Sequence, residues 1–397
     1  MHKIIWAVLL SIFTFSCTGS KQLTLLKQGN TKQTAFYEEI SFRYVKDHIF
    51  VDVEIDGKLY NFLFDTGYAI SFIEQSLIKE SGYQSIIKDK LKGSSFKKHK
   101  VGYGFIPTLK IGAVDFTELG IGTDDLAFIN QDYICEQKVD GIIGANLMRK
   151  AHWQIDYEQQ IIRFTNDWDK LTISPQADQV QMKAHQQGYG YCSLSIQLDS
   201  IKKDFILDTG SGGAFTTGLE NWEQIKASEP VHSLYLTNAS PASKRYLIQV
   251  RKAKMGDFTA EQAVLSLEEG VASLLGNDFL KHYRLSIDWS KNLLFLERNT
   301  VASQAIIRDW ALLIRPDWEQ NKIVIGAKRS GTEYENVVLN TPVLKVNDFD
   351  LSQLSRTQLC DFWQKEWPRL SNQKEIFLSI KGKEAPIRLR KESLFSP

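Results

Sequence analysis

The stretch NFLFDTGYAI, residues 61–70, decides the fold of this chain. An apolar run ends there in an aspartate, which is followed by threonine and glycine. Residues 204–213, DFILDTGSGG, repeat the pattern. A single Asp-Thr-Gly turn is a common junction between a strand and a loop. Two copies in matched contexts instead indicate that the chain contains two equivalent units.

The sequence around the two turns is repeated as well. Residues 48–73 and 191–217 each predict an alternating strand, a polar turn and a second apolar strand that ends in Asp-Thr-Gly. Residues 139–164 and 273–296 align on a shared glycine without a gap, and each reads as a short helical turn followed by two strands. Short alternating strands with frequent turn residues predict two β-rich lobes rather than a parallel α/β sheet.

Composition excludes some classes of function. A length of 397 residues suggests two to three domains, and a hydrophobic fraction of 43% is that of an ordinary globular protein. The net charge of +1 argues against a nucleic-acid partner, because nucleic-acid-binding proteins usually carry a basic excess. The lysine-rich segment KDKLKGSSFKKHK, residues 88–100, is interpreted as a solvated loop.

Neither the histidines nor the cysteines have the spacing of metal ligands, so no metal and no cofactor is expected. Cys135, Cys192 and Cys360 are expected to be buried free thiols. A bridge between Cys135 and Cys192 stays open at this point.

The N-terminus predicts export. Residues 1–16 combine a positive Lys3 with an apolar run that is too short to span a bilayer, which is typical of a signal peptide. The segment resembles a bacterial lipoprotein signal, which implies that Cys17 is the site of lipid attachment. A plain secretory signal is the alternative. Residues 17–34 are polar and are expected to be a tether. We therefore expect a lipid anchor to a membrane of the bacterial cell envelope, on the periplasmic or the cell-surface side.

The two aspartates, Asp65 and Asp208, suggest a reaction. Related lobes can pack about a pseudo-two-fold axis, which brings equivalent residues together. Two carboxyl groups about 3 Å apart cannot both ionise at neutral pH and share one proton. One of them can take a proton from water while the other donates to a carbonyl oxygen, which is general acid–base hydrolysis of an amide. The Thr66 hydroxyl is expected to bond neighbouring backbone, and Gly67 to permit a backbone conformation that other residues resist.

These motifs resemble those of the pepsin-like and retropepsin-like aspartic proteases. In that clan an apolar-apolar-glycine segment passes near each active-site loop, and Ile142-Ile143-Gly144 and Leu274-Leu275-Gly276 match it. The resemblance covers roughly residues 40–298. It implies a mainly β fold with two pseudo-two-fold-related β-barrel lobes and a central cleft. It also implies an aspartic endopeptidase that acts on a peptide or protein substrate and needs no cofactor, and a monomer is expected. The residues that it assigns to the site are the dyad Asp65 and Asp208 and the supporting Thr66, Gly67, Thr209, Gly210 and Ser211.

Tyr68 departs from the family pattern. This position usually carries serine, threonine or alanine, and Ser211 fits that pattern with a hydroxyl that could bond the dyad. A bulky ring at Tyr68 could narrow the cleft or change the hydrogen bonding of the dyad. The sequence therefore keeps a second function open, that of a catalytically inactive, peptide-binding envelope lipoprotein with a protease fold.

Enzymes of this clan close a hairpin flap over the cleft. Residues 99–112 are the candidate, with Tyr103 between two glycines and able to reach over the substrate. The alternative is an exposed hairpin that carries a surface tyrosine. The matching segment of the second lobe, residues 236–250, has no glycine, so one flap is expected.

The predicted domains are a first lobe at 35–170, a second lobe at 171–299 and a C-terminal α+β module at 300–397. The module resembles a PDZ domain, with NTPVLKVNDFDLSQLS at 340–355 and KEIFLSIKGKEAPIRLRK at 374–391 as the matching segments. PDZ domains bind extended peptides by adding a strand to a sheet edge. Because the usual carboxylate-binding loop is not recognisable near residues 309–318, peptide capture and a structural role both stay open.

Overall fold

Strands dominate the structure, a computed structural model, which confirms the prediction of a mainly β protein. It describes residues 23–79, 82–92, 98–130, 133–199, 201–221, 232–237, 243–299 and 308–395. The predicted signal peptide, the predicted lipid site Cys17 and the start of the tether lie outside these ranges. Within them, the helices are all too short or too polar to cross a membrane.

The first repeat contains a sheet that closes on itself. Its strand order is β1-β9-β6-β10-β5-β4-β8-β7, β3 is added on β4, and β9 also pairs with β8. The inward side chains are large and apolar, and Phe62, Phe116 and Ile49 are fully buried. The elements up to residue 165 are β1 (Asn30–Thr31), β2 (Tyr37–Ser41), β3 (Arg43–Val45), β4 (His48–Ile55), β5 (Lys58–Phe64), β6 (Ser71–Glu74), β7 (Gln84–Lys92), β8 (Lys98–Ile111), β9 (Val114–Asp124), α1 (Ala127–Asn130), β10 (Gly141–Ile143), α2 (Ala145–Met148), β11 (His152–Asp156) and β12 (Ile161–Thr165).

The second repeat has the same order of elements around its Asp-Thr-Gly turn. Its strands run β14-β15-β16-β21-β17, and β15 also pairs with β19. The elements are β13 (Asp178–Gln181), β14 (Lys183–Ala184), β15 (Cys192–Leu198), β16 (Ile201–Leu207), β17 (Phe215–Gly218), β18 (His232–Thr237), β19 (Ser243–Met255), β20 (Phe258–Glu268), β21 (Leu274–Leu275), α3 (Asn277–Leu280), β22 (Tyr283–Asp288) and β23 (Leu293–Arg298).

A six-stranded sheet joins the two repeats, in the order β13-β23-β22-β11-β12-β2. Its central pair, β11 and β22, is antiparallel, with Trp153 opposite Ile287 and Ile155 opposite Leu285. In the aligned repeats Ile155 corresponds to Ile287 and Trp153 to Leu285. Equivalent residues therefore exchange partners across the ladder, which is the pairing of a local two-fold axis.

The C-terminal segment forms a further set of strands with one bent helical region. Its strands β26, β27, β29 and β30 are neighbours in that order, β25 is added on β26, and β26 also pairs with β18. Ser355 and Gln358 form a capping box at the start of the helical region. The elements are β24 (Arg308–Asp309), β25 (Leu312–Asp317), β26 (Lys322–Arg329), β27 (Pro342–Val346), β28 (Phe349–Asp350), α4 (Arg356–Asp361), a π-helical turn (Phe362–Glu366), α5 (Trp367–Ser371), β29 (Glu375–Ile380), β30 (Ile387–Arg390) and β31 (Glu392–Ser393).

The described residues fall into two compact units. Unit 1 holds those within Met1–Phe215, Lys252–Glu261 and Ala272–Ala302, and it contains both Asp-Thr-Gly turns and the six-stranded sheet. Unit 2 holds those within Thr216–Arg251, Gln262–Val271 and Ser303–Pro397. These boundaries differ from the predicted domain limits at 170 and 299, which stay predictions.

Residues 98–111 form one continuous strand, β8, which pairs antiparallel with β7, so the candidate flap segment 99–112 supplies one strand of a hairpin, and its role as a flap stays a prediction. Tyr103 lies in the middle of this strand with 6% of its surface exposed, so the alternative of a surface tyrosine is wrong. Its flanking glycines serve close packing, because a Cβ on Gly104 would lie 1.9 Å from the Gln84 carbonyl oxygen. The lysine-rich segment 88–100 was predicted as a loop, but its described residues, 88–92 and 98–100, lie in the paired strands β7 and β8.

The cysteines follow the expectation in part. Cys192 is a buried free thiol. Cys135 and Cys360 are disulfide-bonded, so the expectation of free thiols was wrong for both.

Candidate active site

Each aspartate of the candidate dyad directly follows a strand whose last residue is buried. β5 ends at Phe64, directly before Asp65, and β16 ends at Leu207, directly before Asp208. A short parallel strand supports each, because β10 pairs with β5 and β21 pairs with β16.

The apolar-apolar-glycine segments hold the aspartate backbones in equivalent ways. The Asp65 amide donates to the Ile143 carbonyl at 3.0 Å, and the Asp208 amide donates to the Leu275 carbonyl at 2.9 Å. The expectation that these segments pass beside the two turns is therefore confirmed.

The threonines tie the two turns to each other. The Thr66 hydroxyl donates to the Leu207 carbonyl at 2.7 Å and accepts from the Thr209 amide at 3.0 Å. The Thr209 hydroxyl donates to the Phe64 carbonyl at 2.7 Å and accepts from the Thr66 amide at 3.1 Å. Both side chains are fully buried. Thr66 was expected to bond neighbouring backbone, and the backbone that it bonds belongs to the opposite turn.

The glycines of the two turns are needed for space. A Cβ on Gly67 would lie 2.6 Å from Asp208 Cγ, and a Cβ on Gly210 would lie 2.1 Å from Asp65 Oδ2. Neither glycine has a positive φ, so the expected unusual backbone conformation at Gly67 is not the reason for glycine. Each glycine instead lets the carboxyl group of the opposite turn approach closely.

The two carboxyl groups are hydrogen-bonded to each other, and their surroundings differ. Asp65 Oδ1 accepts from the Gly67 amide at 2.8 Å and from the Tyr68 amide at 3.1 Å. Asp208 Oδ1 accepts from the Gly210 amide at 2.9 Å. Asp65 is 5% exposed, while Asp208 is half-buried.

These surroundings raise the pKa values of the two carboxyl groups to different extents. Burial raises the pKa of Asp65, while the hydrogen bond from Asp208 and the amides of Gly67 and Tyr68 lower it. Burial, the charge of Asp65 and the hydrogen bond to Asp65 raise the pKa of Asp208 well above its ordinary value. Folding thus raises the pKa of both groups, and that of Asp208 further, so the pair titrates as a unit in which the single proton favours Asp208.

Tyr68 contributes a backbone hydrogen bond to the dyad. Its amide donates to Asp65, and its carbonyl accepts from the Ala145 amide at 2.8 Å. Its ring packs edge-on against Phe72 at 5.5 Å, within an apolar cluster that also contains Tyr103. Burial, together with the charge of Asp65, raises the pKa of the Tyr68 hydroxyl, which stays neutral.

Ser211 occupies the equivalent backbone position. Its carbonyl accepts from the Asn277 amide at 2.8 Å, as that of Tyr68 does from Ala145. The expected hydrogen bond from the Ser211 hydroxyl to the dyad stays a prediction.

Sequence reasoning missed Asn277 as a supporting residue. Its side-chain amide donates to the carbonyls of Thr209 at 2.6 Å and Asp47 at 2.7 Å. Its side-chain oxygen accepts from the Tyr157 hydroxyl at 2.7 Å. The available signal was a polar residue directly after Gly276, where the pattern requires a buried position.

The sequence matches no model of a known protein family and no curated protein. What the site does is therefore inferred from its geometry.

Proposed function

We propose that the chain is an aspartic endopeptidase, which hydrolyses peptide bonds with a water molecule activated between Asp65 and Asp208. The observation that carries the proposal is the hydrogen-bonded and unequal carboxyl pair at the ends of two equivalent strands. One group is ready to accept a proton and the other to donate one, which is what general acid–base catalysis needs.

The reaction follows from the unequal protonation. Ionised Asp65, held by two backbone amides, accepts a proton from water as the water oxygen attacks the substrate carbonyl carbon. Asp208 donates its proton to the carbonyl oxygen, which gives a neutral tetrahedral diol. Asp65 then gives the proton that it took from water to the amide nitrogen as the C–N bond breaks, and Asp208 takes one proton from a diol hydroxyl, which leaves a carboxylic acid and an amine and restores the singly protonated pair.

The proposal extends to the fold. The antiparallel pairing of β11 with β22 and the equivalent support of both aspartates favour two retropepsin-like lobes related by a pseudo-two-fold axis. The strands β25–β30 with helices α4 and α5 are compatible with a PDZ-like domain, whose role is peptide capture or structural support. We further propose a monomer, attached to the bacterial cell envelope by a lipid on Cys17.

The alternative, a catalytically inactive peptide-binding lipoprotein, draws less support. It depends on Tyr68 disabling the site. The Tyr68 amide instead donates to Asp65, and its ring packs against Phe72.

Cleavage of a peptide library by the exported part of the chain, from acidic to neutral pH, tests the proposal. Asp65→Asn and Asp208→Asn are each expected to lower cleavage by about 10²–10⁴-fold, because each removes one partner in proton transfer. Asp204→Asn is the matched control, since this exposed aspartate pairs with Lys183 and lies on the strand before Asp208.

Cleavage that persists in both dyad variants would refute the assignment. Wild-type binding without turnover, together with cleavage gained in Tyr68→Ser, would favour the inactive lipoprotein.

A further inference from the structure

His48 is a residue beside the dyad that the proposed reaction does not use. It is the first residue of β4 and follows a two-residue turn, Lys46–Asp47, in which φ is 51° and 60°. The turn joins β3 to β4 and places His48 opposite Val45. The hairpin thus fixes the position of the His48 backbone, which carries the imidazole side chain.

The imidazole ring lies against the loop that follows Asp208. A Cβ on Gly212 would be 3.6 Å from His48 Cε1, the ring carbon between the two nitrogens. On another side the ring packs edge-on against Tyr133 at 5.9 Å. The nitrogen-bearing edge of His48 therefore faces a glycine of the dyad loop, where the chain itself has no side chain.

His48 is also within electrostatic range of the dyad. Burial is the largest effect on the pKa of Asp65 and raises it, and the electrostatic interaction with His48 is the smallest of the effects that lower it. A group bound at His48 would therefore lie beside the loop that follows Asp208.

Within the described part of the chain, His48 Nδ1 is buried and has no hydrogen-bond partner. Buried polar atoms are nearly always paired, so this one calls for an explanation. A proton on Nδ1 would leave a donor unused in the interior, which favours the tautomer with the proton on Nε2. The ring is half-buried, and Nε2–H is then the donor available to a bound molecule.

The charges nearby favour a neutral acceptor. Asp65 carries the negative charge of the dyad. The Asp47 carboxylate already accepts from the Tyr44 hydroxyl at 3.3 Å and pairs with Lys281 at 3.3 Å. Lys281 also pairs with Asp278 at 2.8 Å. Lys46 lies over the Tyr133 ring at 5.6 Å. A second carboxylate next to Asp65 would be repelled, whereas a carboxamide oxygen would not.

We infer that His48 is a specificity-determining residue that binds the side-chain oxygen of a glutamine or asparagine next to the scissile bond. The inference rests on the proposed function, since it names the substrate class of the same site. A neutral hydrogen bond of this kind corresponds to a preference of roughly 2- to 12-fold.

Peptides identical except at the two positions that flank the scissile bond test the inference. At each position glutamine is compared with methionine, which has no oxygen, and with glutamate, which carries a charge. For wild type we expect the kcat/KM of the best glutamine peptide to exceed those of both counterparts by roughly 2- to 12-fold. His48→Phe keeps the ring against Tyr133 and should abolish the glutamine-over-methionine preference. His48→Asn keeps a donor and should retain part of it.

His185→Phe is the matched control. His185 is also half-buried and also lies against a tyrosine, Tyr191 at 4.8 Å, but it belongs to the connection between β14 and β15. The His185→Phe variant should leave the glutamine-over-methionine preference unchanged. If His48→Phe does not fold, His48→Leu takes its place.

The same peptides with a non-cleavable hydroxyethylene group in place of the scissile amide separate the two claims by calorimetry. A glutamine preference in binding that is lost in His48→Phe supports the inference even if wild type cleaves nothing, in which case the proposed function fails alone. The inference is overturned if the glutamine preference persists in His48→Phe or is absent from wild type. Neither result bears on whether cleavage depends on Asp65.

Discussion

Asp65 and Asp208 are the same residue type in the same motif, yet their surroundings make them unequal. Two amides donate to Asp65, while the Gly210 amide donates to Asp208. The additional donor on Asp65 comes from Tyr68, the position at which the two Asp-Thr-Gly turns differ. Its contribution uses the backbone, so the identity of its side chain does not decide the charge of the dyad.

The pKa of Asp208 predicts how its replacement changes stability. Its pKa is raised by folding, mainly through burial, so its favourable contribution is present at low pH and is lost as pH rises toward the folded pKa. Asp208→Asn removes the carboxyl group and with it the loss of stability that its raised pKa causes as pH rises. We expect its unfolding midpoint to exceed that of wild type by at least about 2 °C at pH 7, with a smaller difference at pH 4.

Asp288→Asn should change the unfolding midpoint in the opposite direction. Burial raises the pKa of Asp288, but hydrogen bonds from Ser290 and the Lys291 amide outweigh it, so the net shift is downward. Its stabilising contribution is present above the unfolded pKa and is lost as pH falls. Asp288→Asn should therefore lower the midpoint at pH 7. If the change in unfolding midpoint relative to wild type depended on pH in the same way for Asp208→Asn and Asp288→Asn, the assigned protonation states would be contradicted.

Replacing Gly67 or Gly210 by alanine is predicted to cause a steric clash. An alanine methyl group at either position would overlap the opposite carboxyl group, so we expect each variant to lose about 1–3 kcal/mol of unfolding free energy and most cleavage activity. Gly212→Ala is the control for stability alone, because its Cβ would lie 3.4 Å from the nearest atom, an ordinary contact. Urea unfolding measures the difference in unfolding free energy. Full stability of Gly67→Ala would contradict the close approach of Gly67 to the Asp208 carboxyl group.

At the scale of elements, the sequence predicted what lies close along the chain and what is repeated. The strand before each aspartate and the apolar-apolar-glycine segments are adjacent as expected. The burial of Tyr103, which rules out the alternative of a surface tyrosine, has a physical cause. Glycines on both sides of a residue are typical of a turn, but Gly104 faces the backbone of β7, a contact between strands that the local sequence does not record.

Hairpins β7–β8 and β18–β19 occupy corresponding positions in the repeats and differ in their partners. β7 ends its sheet and pairs with β8 alone among the described strands, while residues 235–237 of β18 pair with both β19 and β26. In a strand that is paired on both sides, the amides that would face outward at a sheet edge are hydrogen-bonded as well, and hydrogen-bonded amides exchange more slowly. We therefore expect slower hydrogen exchange in β18 than in β7, by at least about tenfold, as measured by mass spectrometry. Equal or faster exchange in β18 would contradict its pairing with β26.

At the scale of the whole molecule, one chain supplies both halves of the site. The sequence predicted this because the repeat lies within a single polypeptide. It could not predict the hydrogen bonds between Thr66 and Thr209, the role of Asn277 or the pairing of β18 with β26. Each of these joins residues that are distant in sequence, and it depends on how the strands pack rather than on a local pattern.

A site within one chain predicts the outcome of mixing. Equimolar Asp65→Asn and Asp208→Asn chains should show no more cleavage than either variant alone, because neither chain contains an intact pair. Wild-type specific activity should likewise be independent of protein concentration. Activity restored by mixing would instead mean that the dyad forms between two chains.

The dependence of kcat/KM on pH tests the central claim most directly, namely that Asp65 and Asp208 share one proton. Wild type should give a bell-shaped profile, because the pair must carry one proton and one negative charge. Since folding raises the pKa of Asp208 well above its ordinary value, the alkaline limb should lie well above the usual range of an aspartate. Either Asn variant should lower cleavage by about 10²–10⁴-fold at every pH. A profile with a single ionisation, or cleavage at the wild-type rate in Asp65→Asn, would contradict a shared proton.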